Sequence, residues 1–594
     1  MDSFLENRYK DRNPKDTVTY LKSILKKLHI EVEEQWNSAN EISTYSLRLF
    51  IKDTNIGTNG KGATKDLALA SAYGEFFERL QNHKLFNIFN YYGHDLRPLI
   101  SKDEKFLTSK EIISQRSDVI NLLFKYNKKS SLSIKEKSEW FDKYCYNKYS
   151  ALNKRKKYLC LPYYNISNNK VDYLPRYLTD ITYWSNGMAA GNSKDEALVE
   201  GISEIIERYV HRLVIQNRLS LPDIPESYIK KYPKLYSTWK KLKTVEGINV
   251  YLKDASLGGV WPVAALIIVN SKTGTLGVNF GCHPCCEIAI ERVFTESTQG
   301  RQIEAFSKTA KFETMDAKIS KESINNAFVD GSGIYPLEIL KSSGKFSLNK
   351  LESKYSSNSD MLNVLVKKIE KFNYQILVRD ATCFGFPAFH VIIPGMSEIC
   401  NNNETDLLNL IKRDYVKNLF LDISNISKNS AKIILVLFNY YSDQLFMNSL
   451  FSYLPPCKNL KVSMGGSIYG AKYFGVMLYV MLEDFDKAYR EFLNIYCVIQ
   501  KLNNVSEEAR LQVDSMKAYL EFRSNGLSHK EASEYIRFIF NQKTFSYINS
   551  LFSDTSKILK LEYPDYRKML ERSKFFFPFR KAKLILKAMS EYNN

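Results

Sequence analysis

A segment of 16 residues recurs with a shift of 129 positions, and this duplication constrains the fold more than any other feature of the 594-residue chain. Thr64–Arg79 reads TKDLALASAYGEFFER and Ser193–Arg208 reads SKDEALVEGISEIIER; Lys, Asp, Ala, Leu, both Glu and the final Arg coincide. A weaker third copy, Glu287–Arg301, follows Pro284, with Glu296 for the first acid and Gln299 in place of the second. Leu67, Ala70, Ala72 and Phe76, like Ala197, Leu198, Ile202 and Ile205, give each of the first two copies a helical, core-facing stripe. Thr64 and Ser193 are N-cap residues, and Ser193 with Glu196 spells a capping box. A turn is expected before each copy, at Asn59–Ala63, Asn186–Asn192 and Gly281–Pro284. Three related helices are expected to serve one purpose.

Strand-like runs lie between the copies. Val260–Val269 reads as a buried strand entering a hairpin through Asn270–Gly274, with Thr275–Phe280 returning; Tyr374–Val378 and His390–Ile393 read as two more. Strands interleaved with helices through residues 1–400 give an α/β (α+β) body. Past the polar break Asn401–Asn403, helical periodicities run through Met481–Tyr496, Glu507–Phe522 and Tyr566–Met589. Residues 401–594 are therefore expected to form an all-α domain, of tetratricopeptide-like helix pairs without a clean repeat of roughly 34 residues.

Composition narrows the function classes. Apolar residues make up 44% and aromatic ones 13%, values of packed cores and not of a disordered chain. The longest apolar runs, such as Tyr473–Leu482, fall far short of the roughly 18 to 20 residues of a membrane span, and the opening MDSFLENRYKDRNPKD has no signal-peptide core. A cytoplasmic protein is expected. The 9 cysteines read as intracellular thiols; Cys282-His283-Pro284-Cys285-Cys286 suggests zinc, but a structural site needs a second ligand pair nearby. The charge of +19 comes from lysines spread along the chain, with no basic block interleaved with aromatics, so an acidic ligand such as a polyphosphate is expected before nucleic acid.

In E-x-x-E-R the two acids share one helix face. Two such helices brought together supply Glu75, Glu78, Glu204 and Glu207, a self-repelling set unless cations stand between them, and oxygen-only ligands select magnesium or calcium over zinc. For a single copy, ordinary surface ion pairs explain the acids better. Duplication reverses the preference, because both copies keep Glu, Glu and Arg while their neighbours drift. Magnesium shared with substrate phosphates, with Arg208 and Arg292 as phosphate forks, is then expected. Walker A and protein-kinase signatures are absent from the sequence, so a different phosphate-binding fold is required.

Asn59-Gly-Lys-Gly-Ala-Thr-Lys with GEFFER, Ser185-Asn-Gly-Met-Ala-Ala-Gly-Asn with SEIIER, and Ile393-Pro-Gly-Met-Ser-Glu398 resemble the YcaO family over residues 1–400. The tail makes the chain most similar to stand-alone members that act as accessory factors in ribosomal-protein methylthiolation. The resemblance implies a YcaO-type ATP-binding fold and an enzyme that uses ATP and Mg2+ to phosphorylate a backbone amide oxygen. A side chain of the substrate then attacks to form an azoline, or a sulfide source attacks to form a thioamide.

Carried over by position, Glu75, Glu78, Glu204 and Glu207 are the implied magnesium ligands. Lys10, Thr17, Asn192, Glu196, Arg208, Arg292, Glu296 and Gln299 are the implied nucleotide contacts; no catalytic residue is assigned. Two departures stand out: Ala189 where many relatives carry Ser, and an ending, Met589–Asn594, without the proline-rich tail of azoline-forming members. The implied partners are a peptide or protein substrate, a leader-peptide-binding or sulfur-transfer protein, and a second copy in a homodimer. Two alternatives stay open: an accessory role in ribosomal-protein methylthiolation, and a degenerate nucleotide-binding scaffold.

Overall fold

The computed structural model describes residues 8–37, 41–86, 101–146, 157–440 apart from 316, 330, 401 and 421, 468–501, 505–563 and 576–592. Helix α1 (Pro14–Lys27) is capped by Asn13 and begins on proline, and strands β1 (Val32–Trp36), β2 (Tyr45–Ile51) and β3 (Gly57–Gly62) form an antiparallel sheet. Helix α2 (Lys65–Gln81) follows, with Thr64 accepting from the Leu67 N–H as expected. A second sheet has the order β4 (Lys105–Leu107), β5 (Tyr158–Asn165), β11 (Leu377–Asp380), β12 (Ala388–Ile392), β7 (Met188–Ala190), with β6 (Lys170–Pro175) on the free side of β5. Helix α3 (Lys194–Gln216) leaves β7. The third sheet is β8 (Ile248–Asp254), β9 (Val263–Asn270) and β10 (Leu276–Cys282), leading into helix α4 (Cys286–Ser297).

The expected hairpin is thus present, and its centre explains the continuous apolar run. Val263, Ala265 and Ile267 of β9 enter the core under α3, whereas Ala264, Leu266 and Ile268 enter the core under α4. Alternation along a strand puts successive side chains on opposite faces, so a strand covered on both has no polar face to show.

Each repeat is a strand running into a helix, and the three units close on one another. Helix α2 packs on β3 and β2 and also on β7 and β12; α3 packs on β7 and β12 and also on β10 and β9; α4 packs on β10 and β9 and also on β3. The turn expected at Asn59–Ala63 is in fact the end of β3, whereas Asn186 and Gly187 do turn before the short strand β7, and Gly281 and Cys282 end β10. Their glycines are there for contact: a Cβ at Gly60 would stand 2.2 Å from the Ala68 carbonyl oxygen and 2.5 Å from the Ala72 Cβ. One repeat later the small residue changes sides. A Cβ at Gly201 of α3 would lie 3.4 Å from the Ala189 methyl on β7, so Gly60 against Ala72 becomes Ala189 against Gly201.

Under α2, Phe76 and Phe77 are wholly buried, and Phe77 meets Phe384 and Phe386 edge-on at 6.4 and 6.1 Å. The buried Gln81 amide ties the helix end to the same loop, donating to the Phe386 carbonyl and accepting from the Cys383 and Phe384 N–H groups.

From Glu404 onward the described chain is helical, and residues from Val416 to Tyr563 share a core of their own. The stretch Met481–Tyr496, expected as one helix, breaks: one helix ends at Met481 and the next starts at Phe485, capped by Asp484. The last described helix, α5 (Phe576–Tyr592), leaves that core and buries Ala582, Ile585 and Met589 among α1, β2 and α2. Lys581 fixes it there by donating to the Lys52 carbonyl at 2.7 Å. Among the described residues no helix is long and apolar enough to cross a membrane.

His211 of α3 is buried, stacked on Phe280 at 4.2 Å and bonded through Nε2 to the Tyr335 hydroxyl at 2.8 Å. Burial, helped by Arg208, lowers its pKa to about 3. The unfolded chain therefore binds a proton that the folded chain refuses, and this contribution, complete above the ordinary pKa of about 6.5, is lost as pH falls toward 3. His211→Gln is expected to make acid destabilisation shallower by up to about 1.4 kcal/mol per pH unit, read by urea unfolding at several pH values between about 4 and 6.

Candidate functional site

Helices α2, α3 and α4 turn polar faces to one cleft. On α3, Glu196, Glu200, Glu204 and Glu207 follow one another about a turn apart; Glu75 and Glu78 come from α2 and Arg292 and Glu296 from α4. Side-chain exposures of 14% for Glu78, 22% for Glu200 and 26% for Glu296 describe groups that are mostly buried but still reach water.

The N-terminal segment laces the cleft together. Arg8 donates to Glu287 at 2.7 Å and Glu291 at 2.5 Å on α4. Lys10 donates to Glu200 at 2.6 Å and stands 3.7 Å from Glu196, and Thr17 of α1 donates to the Asn192 side-chain oxygen at 2.7 Å. Lys10, Thr17, Asn192 and Glu196 are thus brought to one place.

The capping box is only half made. Ser193 accepts from the Glu196 N–H at 3.1 Å, but the Glu196 carboxylate turns away to accept from the Asp11 N–H at 2.9 Å and from the Asn192 amide at 3.1 Å. These partners and Lys10 outbid the cap. Gln299 also departs from expectation: α4 ends at Ser297, so Gln299 lies on the following turn and not on a helix. Ser297 and Thr298 hydroxyls donate back to the Phe294 and Thr295 carbonyls, and Gly300 takes a φ of 72°, which together close the helix early.

The remaining acids are all engaged. Arg79 pairs with Glu75 and Glu78 at 3.5 Å, Arg208 with Glu204 at 2.8 Å, and the Cys282 N–H donates to Glu207 at 3.0 Å. Arg292 reaches across to α3 and donates to Glu200 at 2.5 Å, so it is not a salt bridge within its own helix. Lys61 of β3 pairs with Glu296 and donates to the Gln299 side-chain oxygen at 3.4 Å. Lys61 and Glu200 were not singled out from sequence. Lys61 lay inside a motif already noted, and Glu200 lay on the Glu196–Glu204 ridge, but only the fold shows what each one meets.

Electrostatics follow from this crowding. Burial, reinforced by Glu75 and Glu204, pushes the Glu78 carboxyl well above its usual range, and burial with Glu204 raises Glu207. Burial also pushes Glu200 upward, but Lys10 and Arg292 override it and hold that carboxyl well below the usual range. Lys61 is lowered to about 8 by burial and by Arg292, against the pull of Glu207, Glu75 and Glu204.

Seven carboxylates (Glu75, Glu78, Glu196, Glu200, Glu204, Glu207 and Glu296) thus face five cations (Lys10, Lys61, Arg79, Arg208 and Arg292). The surplus of oxygen donors suits a hard divalent cation. Arg292 Nε, a buried donor without a hydrogen-bond partner among the described residues, suits an anion. By donor chemistry the residues fit a metal–phosphate ligand. By geometry they are not preassembled: among the described residues no three His, Cys, Asp or Glu side chains stand gathered to hold an ion, so the acids must first exchange their present partners. Cys282, Cys285 and Cys286 are buried free thiols, and His283 Nδ1 accepts from the Cys285 N–H.

A family model described as YcaO cyclodehydratase, ATP- and Mg2+-binding, matches residues 59–397. The chain belongs to the YcaO family. The match starts within β3, takes in the rest of the three strand–helix units of this YcaO chain and stops at Ser397, leaving Lys10 and Thr17 to be supplied from outside it. The ribosomal protein S12 methylthiotransferase accessory factor YcaO of Escherichia coli is 30% identical over 400 residues, and an uncharacterized Haemophilus influenzae protein is 30% identical over 403. Each alignment covers 66% of this chain and 66% of the relative, so just under two thirds of the curated relatives' length is spanned. Among solved structures, a heterocyclase in complex with substrate and cofactor is similar at 17% identity and a TM-score of 0.45, over 66% of this chain and 53% of that one. YcaO from Methanopyrus kandleri bound with AMPPCP and Mg2+ is similar at 13% identity and a TM-score of 0.39, over 65% and 92%.

Proposed function

We propose that this YcaO chain is an ATP- and Mg2+-dependent enzyme that activates a peptide or protein backbone amide by phosphorylating its oxygen, for azoline or thioamide formation. The single observation that carries the reading is the cleft itself, in which two duplicated acid pairs meet Arg292, whose buried Nε has no partner among the described residues. Bound ATP with Mg2+ would supply the phosphoryl group that turns an amide oxygen, a poor leaving group, into phosphate.

Glu75, Glu78, Glu204 and Glu207 would hold the metal. Arg292, fixed by Glu200, and Lys10 on the same carboxylate place positive charge beside the acids, where it opposes the negative charge that develops on transferring phosphoryl oxygens. Asn192 and Glu196, tied to Thr17 and Asp11, order the entrance to α3. Phe76, Phe77, Ile205 and Ile206, beside these acids on the same helices, lie wholly in the core, so the acids are presented from firmly packed helices.

An accessory role in ribosomal-protein methylthiolation is the second reading, favoured by the 30% identity to the Escherichia coli accessory factor. An oxygen-isotope balance tests the first reading and probes the second. Turnover of ATP in 18O-water is run with ribosomal protein S12, and separately with a library of cysteine-, serine- and threonine-containing peptides. Amide activation is expected to release phosphate without 18O, three of its oxygens coming from ATP and the fourth from the amide, together with a mass change in the acceptor; phosphate carrying one water-derived 18O, with unmodified acceptors, counts against it.

A further inference from the structure

We propose that Lys61 is a resident counter-ion of the acid cleft, holding between the three helices the place that a divalent cation takes when nucleotide binds. The inference rests on the nucleotide reading above and assigns a role within that site.

The argument begins with where each cation comes from. Arg79 and Arg208 pair with acids one or four residues away on their own helices, so these contacts need no tertiary structure. Lys10 and Arg292 converge on one carboxylate, Glu200. Lys61 is different, for it stands on the strand of the first repeat and pairs with Glu296 on the helix of the third, beside Gln299, within the field of Glu75 on the first helix and Glu204 and Glu207 on the second. A single ammonium thus bonds the acid of the third helix while acids of the other two act on its charge.

The threefold relation of the repeats makes the position telling. The residues equivalent to Lys61 are Ala190 on β7 and Cys282 on β10, neither a cation, and at Cys282 the backbone N–H serves the neighbouring helix's Glu207 instead. Lysine is placed at one junction of three. Its hold on Glu296 and Gln299 is opposed by Arg292, and an ammonium is a point charge on a flexible stem that cannot make the bidentate grip of a guanidinium. A group that compensates the acids and leaves readily is what the cleft needs if its carboxylates are to be kept apart from metal until nucleotide arrives.

The test is thermal unfolding of the full chain with Mg2+ alone and with ATP plus Mg2+. Wild type is expected to respond to ATP plus Mg2+ and not to Mg2+ alone. Lys61→Met, which keeps the apolar stem, and Lys61→Gln are expected to gain a response to Mg2+ alone, a rise of about 2 to 4 °C at an ion concentration near ten times its Kd. Lys61→Arg, which keeps the charge, is expected to gain none. A wild type stabilised by Mg2+ alone, or folded Met and Gln variants that Mg2+ leaves unmoved while wild type answers to ATP plus Mg2+, overturns the inference. A wild type that ignores ATP plus Mg2+ instead overturns the nucleotide reading and the inference with it.

Discussion

ATP with Mg2+ is expected to raise the unfolding temperature of the wild-type chain, and Glu204→Gln to lose that rise while unfolding almost normally in its absence. A ligand at about 100 times its Kd adds roughly 2.7 kcal/mol to the folded state, which a melting curve resolves. Glu204 is the informative position because it raises both Glu78 and Glu207 by repulsion. Neutralising it relieves that repulsion and costs the ion pair with Arg208 four residues on, two effects of opposite sign. The free variant is therefore expected within about 1 kcal/mol of wild type, whereas the ligand-dependent gain disappears. A purely structural Glu204 would show the reverse, a weaker free protein with its ligand response intact. Adding a chelator to wild type with ATP should reproduce the variant.

Gly60→Ala is expected to be among the most damaging single-methyl changes in the α/β body. The new methyl would lie 2.2 Å from the Ala68 carbonyl oxygen and 2.5 Å from the Ala72 Cβ, backbone and helix side chain that have no room to retreat. Strand β3 and helix α2 would have to separate, at a cost of about 3 kcal/mol or more. Gly201→Ala supplies the matched control. There the methyl meets the Gly187 carbonyl oxygen at 2.9 Å and the Ala189 methyl at 3.4 Å, and the expected cost is about 1 kcal/mol. Urea unfolding of the pair should rank them in that order. Because α2 carries Glu75 and Glu78, Gly60→Ala is also expected to weaken the response to ATP plus Mg2+, and equal costs for the two variants would argue against the tight strand–helix contact described here.

Much of this was visible in the residues. Helix starts at Thr64 and Ser193 are set by caps three residues long, and core stripes by a spacing of three and four, so both are local and both were found. The buried hairpin around β9 announced itself as an apolar run because both its faces are covered. Misreadings arose where a distant group competes with a local one. Glu196 has the spacing of a capping-box acid, yet Asp11 and Asn192 take its carboxylate. Gln299 has the spacing of a helical acid, yet hydroxyl back-bonding and Gly300 end the helix before it. The stretch Tyr566–Met589 lies partly outside the described residues, and its described part, within α5, returns to the first repeat's core in a way no periodicity encodes.

The sequence by itself determined that three related helices exist, that two carry an E-x-x-E-R face, and that these faces are acidic where their backs are apolar, because such properties depend on neighbours within a helical turn. Only the tertiary structure decided that each helix leans on the next unit's sheet, that Glu200 joins Lys10 to Arg292, and that Lys61 crosses from the first repeat to the third. Those contacts span from tens of residues to more than two hundred along the chain, and their partners are selected by which small residues allow a helix and a strand to touch.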